Sequence, residues 1–229
     1  MAEYDVVFVG AGHNALVAAG YLAKAGYSVH LVERRPIVGG AVVTEERVPG
    51  FRFDLGGSAH ILIHHTPIIA DLALESYGLT YIDVDPLFFT PFPNGKQITI
   101  WRDVDRTCES IAQISPADAE AYRSFIETWT PMAQAMVESF IHPPTLVNFG
   151  RHLVLGSGMG RDSLPYLSEI LHGYGQFVRQ NFESPELRAL IAWMASQSGP
   201  PPTEPMSAPF ALWHPMYHVS GVKRPEGGS

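Results

Sequence analysis

Cysteine is nearly absent from these 229 residues: Cys108 stands alone. One thiol excludes an internal disulfide framework and a cysteine-ligated zinc site, and makes a reducing compartment the default. Cys108 itself reads as a small buried or half-buried residue. Charge is also scarce, at 17% of residues against about 25% in an average domain. Positive charge is scarcer still, with 15 Lys+Arg against 23 Asp+Glu and a net charge of −8. A chain with no cationic excess has nothing to release counterions from phosphate, so a nucleic-acid binder is not expected. No apolar run reaches roughly 18 residues, the length that reads as a membrane span. A secretory leader is not expected either, because Glu3 and Asp5 precede the first apolar stretch, which runs into glycines instead of a cleavage site. The expected location is cytoplasmic, with peripheral membrane contact left open.

What the chain does have is apolar residues, 46% of the total, in a length that makes one large domain or two small ones. Val6-Val7-Phe8-Val9 predicts a strand buried on both faces at the centre of a parallel sheet. Gly10-Ala11-Gly12-His13-Asn14-Ala15 follows, then a proline-free, Ala- and Leu-rich stretch to about Ala25 that Gly26 closes as a helix C-cap would. Ser28 to Val32 predicts a second strand, and Glu33 stands at its tip.

The spacing carries chemistry. Gly10 permits a tight turn, Gly12 lets main-chain N–H groups approach a pyrophosphate, and the small Ala15 lets helix lie close on strand. The phosphates would rest on unpaired amides at the positive helix end. Glu33 follows Gly10 by 23 residues, where a carboxylate accepts both ribose hydroxyls of an adenosine. A dinucleotide site is the expectation. Glu33 disfavours a 2′-phosphate, although the adjacent Arg34 and Arg35 keep NADP open.

Residues 36–44 turn the choice toward flavin. A nicotinamide domain would continue into another helix, whereas Pro36-Ile37-Val38-Gly39-Gly40-Ala41-Val42-Val43-Thr44 predicts extended chain lying along a ligand, with Gly39 and Gly40 allowing close approach. Gly50-Phe51-Arg52-Phe53-Asp54-Leu55-Gly56-Gly57 repeats the idea. In these features residues 4–57 resemble the N-terminus of the FAD-dependent amine oxidase and phytoene desaturase superfamily. The Gly-Ala-Gly-His-Asn opening, the Ser-Pro-x-Asp-Ala segment at 115–119 and the closing Arg224-Pro225-Glu226-Gly227-Gly228-Ser229 resemble the branch of carotenoid desaturases and flavin-type β-carotene ketolases.

The resemblance implies an α/β fold: a Rossmann-like FAD-binding part over 1–78, a mixed α+β substrate domain over 79–218, and a return toward the FAD domain at 219–229. It implies FAD as cofactor, held by Gly10, Gly12, His13, Asn14 and Ala15 at the pyrophosphate, Glu33 at the ribose, Arg34 and Arg35 near the phosphates, and Gly39, Gly40 and Ala41 beside the flavin. Many members carry an arginine where this chain has Ala41, so that contact is not carried over. The implied activity is hydride removal from an allylic carbon of a long apolar polyene. Because the closing motif opens the return to the FAD domain in the family, the resemblance also implies that this chain is an N-terminal half completed by a second polypeptide. The alternatives are an NAD(P)-dependent oxidoreductase using the same turn and a non-catalytic cofactor-binding subunit.

Elsewhere, Thr66-Pro67 predicts a helix running to Gly78, and three strands are predicted at 79–85, 87–92 and 96–101. Ser115 and Asp118 predict a capping box, and Pro131 should kink or end the helix that follows. The proline-broken, apolar stretch Pro200–His218 reads either as the mouth of an apolar tunnel or as a loop over the core. His60-x-x-x-His64-His65 has the spacing of one histidine box of a membrane di-iron enzyme, but such enzymes need several boxes and membrane spans, so no metal is expected. No general base is assigned.

Overall fold

A computed structural model describes residues 3–143, 145–152 and 164–229. The chain forms two compact units, one made of 1–83 with 222–229, the other of 84–221.

In the first unit, strand β1 (Val6–Val9) leads through a turn into helix α1 (His13–Lys24) and strand β2 (Val29–Val32). β1 and β2 pair in parallel, Val6 opposite Val29 and Val9 opposite Val32. A hairpin follows, β3 (Thr44–Val48) with β4 (Phe51–Asp54), turned by Gly50 at φ +83° and bulged between Glu46 and Val48. After helix α2 (Ile68–Asp71), strand β5 (Tyr81–Val84) pairs with the returning segment Val222–Pro225.

Several expectations change here. β1 is not buried on both faces: Val7 is 54% and Val9 91% exposed, because among the described residues its sheet has only the two strands. The helix predicted to reach Gly78 stops at Asp71, and a separate 3-10 turn covers Leu74–Tyr77. The cause is local: the Ala73 amide bonds the Ala70 carbonyl instead of that of Ile69, and Ala73 turns left-handed at φ 51°. Residues 36–43 are a folded turn, not extended chain, with Gly39 at φ +112° and Gly40 at +66°. The first of the three predicted strands pairs with the returning segment and not with the other two.

The second unit opens with the antiparallel hairpin β6 (Phe88–Pro91) and β7 (Gln97–Ile100). Helices α3 (Val104–Ala112), α4 (Pro116–Phe140), α5 (Leu146–Gly150), α6 (Leu164–Ile170), α7 (Tyr174–Asn181), α8 (Pro185–Ser196) and α9 (Trp213–Ser220) follow, before the returning strand β8 (Val222–Pro225) of the first unit. α4 runs through Pro131 for 25 residues. The proline removes one amide bond, but the helix buries Tyr122, Phe125, Ile126, Trp129, Met132 and Met136 along one side, and each large apolar side chain so buried contributes roughly 1.5–3 kcal/mol. Ser115 caps α4 by accepting from the Asp118 amide, yet Asp118 does not complete a capping box. Its two oxygens accept from the amides of Glu183 and Ser184 at 2.7 Å each, fastening the start of α8.

The stretch 200–218 is helical, not loop, over its second half. It contains a 3-10 turn at Ala208–Leu212 and α9, whose Pro215 sits in the first turn where no intrahelical amide is needed. Leu212 and Met216 are core residues, each 1% exposed. Cys108 is buried as expected, and burial raises its thiol pKa.

The two units differ in what they bury. Among the described residues the buried apolar side chains of the first unit are Ala11, Ala19, Val43 and Val222, none larger than valine. Tyr122, Phe177, Ile98, Ile111, Leu187, Leu190 and Ile191 all belong to the second unit.

Candidate cofactor-binding site

The turn between β1 and α1 is set by Gly10, at φ +98°, a conformation that an L side chain resists. Its amide returns to the Val32 carbonyl at 2.7 Å, tying the turn to the tip of β2. α1 then begins at Gly12 with no side-chain cap and no acidic residue in its first turn. The His13 amide is taken by the Gly39 carbonyl at 3.1 Å and the Leu16 amide by Gly12. The amides of Gly12, Asn14 and Ala15 have no partner among the described residues. Uncapped donors at the positive end of a helix without a nearby carboxylate are suited to an anion.

Glu33 reaches this turn from β2. Its Oε2 accepts from the Ala11 amide at 2.8 Å and its Oε1 from the Arg35 amide at 3.0 Å. Those main-chain bonds, Ala11 first, hold its carboxyl pKa below the usual carboxylate value, so it is ionised at neutral pH. A carboxylate offers about four lone-pair sites, so each oxygen keeps capacity for a further donor such as a sugar hydroxyl.

Gly39 and Gly40 lie against the turn itself. The Gly39 amide donates to the Ala11 carbonyl at 2.8 Å, and Gly12 and Gly39 form an isolated parallel bridge. A methyl group on Gly40 would stand 3.0 Å from the Gly12 Cα, so glycine here is required by backbone meeting backbone. Gly56 has a similar reason: a side chain there would collide with the Ala41 carbonyl, which already accepts from the Gly57 amide at 2.9 Å. Arg35 pairs with Glu45 on β3, while His13, Asn14 and Arg34 are exposed around the turn. The structure thus brings Gly10, Gly12, His13, Asn14, Ala15, Glu33, Gly39 and Gly40 to one place.

A second polar cluster in this unit is not foreseen from the sequence. The Ser229 amide donates to Asp54 Oδ1 at 3.1 Å, the Thr44 hydroxyl donates to the same carboxylate, and Thr44 Oγ1 stands 2.9 Å from the Ser229 carbonyl. The Thr44 hydroxyl, then the Ser229 amide, lower the Asp54 pKa. His60 Nδ1 stands 2.9 Å from the Tyr81 hydroxyl and its Nε2 3.4 Å from Ser229 Oγ. His64 packs edge-on against Tyr81 with its Nε2 buried and unpartnered. Burial lowers the pKa of both His60 and His64. Signals for the cluster do exist in the chain: Thr44 and Asp54 face each other across the open end of one hairpin, and Gly228, at φ +105° against Thr44, needs to be glycine.

Residues 9–73 match the family of NAD(P)-binding Rossmann-like domains. The chain is 36% identical over 209 residues to a subunit of the limonene dehydrogenase of Castellaniella defragrans, covering 90% of this chain and 37% of that protein. It is 28% identical over 237 residues to a carotenoid 3,4-desaturase of Haloarcula japonica, covering 98% and 44%. Among solved structures, putrescine oxidase bound to putrescine superposes with a TM-score of 0.61 at 20% identity, over 98% of this chain and 46% of that one, which speaks to the fold.

Proposed function

We infer that this chain is part of an oxidoreductase, a reading supported by its match to NAD(P)-binding Rossmann-like domains and by relatives that include a carotenoid desaturase; it spans about two-fifths of the length of the curated relatives it matches. We propose that it is the cofactor-holding portion of an FAD-dependent oxidoreductase acting on an apolar, unsaturated hydrocarbon, of the carotenoid desaturase or ketolase kind. The observation that carries the reading is the uncapped start of α1 facing the ionised Glu33. In this reading the amides of Gly12, Asn14 and Ala15 hold the diphosphate and the unused lone pairs of Glu33 take the ribose hydroxyls. Gly39 and Gly40, without side chains, leave the approach to the turn open. FAD, when bound, supplies the hydride-accepting chemistry; the chain's own work is to bind and orient it. Relatives named for limonene and carotenoids support an apolar substrate.

The small buried residues of the first unit and the exposure of Val7 and Val9 support a further polypeptide segment covering this sheet. That the limonene dehydrogenase relative is one subunit of its enzyme supports a second chain as the carrier of that segment.

The test is purification of the chain with its native partners, followed by heat release of the chromophore. A flavin absorbance band is expected, and Glu33→Ala should weaken retention of the adenosine-containing cofactor by about tenfold or more. A released nicotinamide nucleotide in place of flavin would favour the NAD(P)-dependent alternative. Unchanged retention in Glu33→Ala would overturn the site assignment, and bound flavin without turnover of any unsaturated hydrocarbon would favour a non-catalytic role.

A further inference from the structure

The second unit holds a cluster that neither the fold nor the cofactor site uses. Glu138 lies in the last turn of α4, His142 two residues beyond its end, and His152 comes back beside them just after α5. One ligand atom from each lies within 4.8 Å of the others, and the two imidazole rings are 4.4 Å apart between centroids. His142 Nδ1 is 2.7 Å from the Glu138 main-chain carbonyl. A carbonyl only accepts, so Nδ1 carries the proton and Nε2 keeps a bare lone pair, the arrangement in which an imidazole is oriented to ligate. His152 Nε2 is shielded from solvent and has no hydrogen-bond partner among the described residues. A buried polar nitrogen left without a partner costs on the order of 1–3 kcal/mol, a cost that a bound ion would remove.

We propose that Glu138, His142 and His152 bind a divalent transition-metal ion of the zinc class. Two neutral imidazoles and one carboxylate form a borderline nitrogen–oxygen donor set, which favours Zn²⁺ and its neighbours over the hard, oxygen-seeking Mg²⁺ and Ca²⁺. Three protein ligands leave a fourth position for water or an exogenous group. Bound there, the ion clamps the end of α4 to the turn that follows α5. The donor spacing, Glu-x-x-x-His with a second histidine ten residues on, is unrelated to the His60–His65 pattern in the other unit.

The test is calorimetric titration of the full chain with ZnCl₂ in a non-chelating buffer, beside His142→Gln and His152→Gln. One ion per chain is expected, with affinity falling about tenfold or more in either variant. No binding by the wild type, or equal affinity and stoichiometry in both variants, would overturn the proposal. Should the variants lose their native tryptophan emission, the wild type loaded with Co²⁺ decides. Hyperfine-shifted ring-proton resonances from two histidines support the site, and any other number refutes it.

Discussion

His214 makes the stability of the second unit depend on pH in a direction that can be worked out. It lies in α9, is 1% exposed, and stands edge-on to the buried Tyr122. His218 Nδ1 faces the Arg102 carbonyl at 2.9 Å, so it carries the proton and His218 Nε2 accepts from the Tyr122 hydroxyl at 2.8 Å. His214 Nδ1 is then the donor to the Tyr122 oxygen at 3.4 Å, and its Nε2 is buried without a partner among the described residues. Burial, then the neighbouring His218, pushes the His214 pKa down to about 3. In the unfolded chain the same ring titrates near 6.5. Between those values the unfolded state holds a proton that the folded state refuses. Stability from this group is therefore complete above pH 6.5 and lost by about 1.4 kcal/mol per unit as the pH falls toward 3. At pH 5 the loss is about 2 kcal/mol, and His218, also lowered by burial, adds to it in the same direction. Tryptophans 101, 129, 193 and 213 all lie in this unit, so their fluorescence reports its urea unfolding. The wild type should lose about 2 kcal/mol more than His214→Gln between pH 7 and pH 5. An equal drop in both would refute the burial argument, whatever the variant's stability at pH 7.

Asp118→Ala would strand the buried amide of Ser184 and the partly buried one of Glu183; at roughly 1–3 kcal/mol for a buried donor, urea melts should show a loss of about 2 kcal/mol or more, and a smaller loss would mean that water replaces the carboxylate. Glu186 is held down to about 2 by Lys96, 2.8 Å away, and by Asn94. Its contribution is present above its ordinary value of 4.5 and lost as the pH falls toward 2. Lys96→Met should therefore move acid unfolding, followed by tryptophan emission, to higher pH, and an unchanged midpoint would count against the pair. Gly40→Val introduces a side chain at φ +66° against the Gly12 Cα. Cofactor retention should fall by about tenfold or more while tryptophan-monitored unfolding of the second unit stays put; retained cofactor would show that the close approach is not needed.

The strand, glycine turn, helix and terminal acid were legible because each step has a short-range cause: φ +98° at Gly10, a helix closed before Gly26, a carboxylate at the end of β2. The end of α2 turns on Ala73, a non-glycine residue that adopts φ 51° where its type gives no sign of it. What else could not be read depended on partners far along the chain. Asp118 had the spacing of a capping residue, but amides 65 and 66 residues on claimed it. Pro131 obeyed burial instead of its local preference, because the apolar side of α4 outweighed one missing amide bond. Gly39 and Gly40 are legible as points of close approach, and the structure sets both against the glycine turn.

That last contact explains why the first unit is arranged as it is. Its fixed points are main-chain ones: Gly10 to Val32, Ala11 to Glu33 and to Gly39, His13 to Gly39. Its buried apolar side chains stop at the size of valine, and Val7 and Val9 face outward. Fully burying a valine contributes roughly 1.5–3 kcal/mol, and with Val7 54% and Val9 91% exposed, covering both adds about 2–4 kcal/mol, close to the lower end of a whole domain's stability of about 5–15 kcal/mol. A ligand that binds only the folded turn adds about 2.7 kcal/mol at a hundred times its dissociation constant. Under the proposed function, cofactor and covering segment then act as the core that the side chains of this unit do not supply. A site built from backbone donors and one acid suits that role, since those groups keep their geometry through the main chain and need no packed interior to hold them in place.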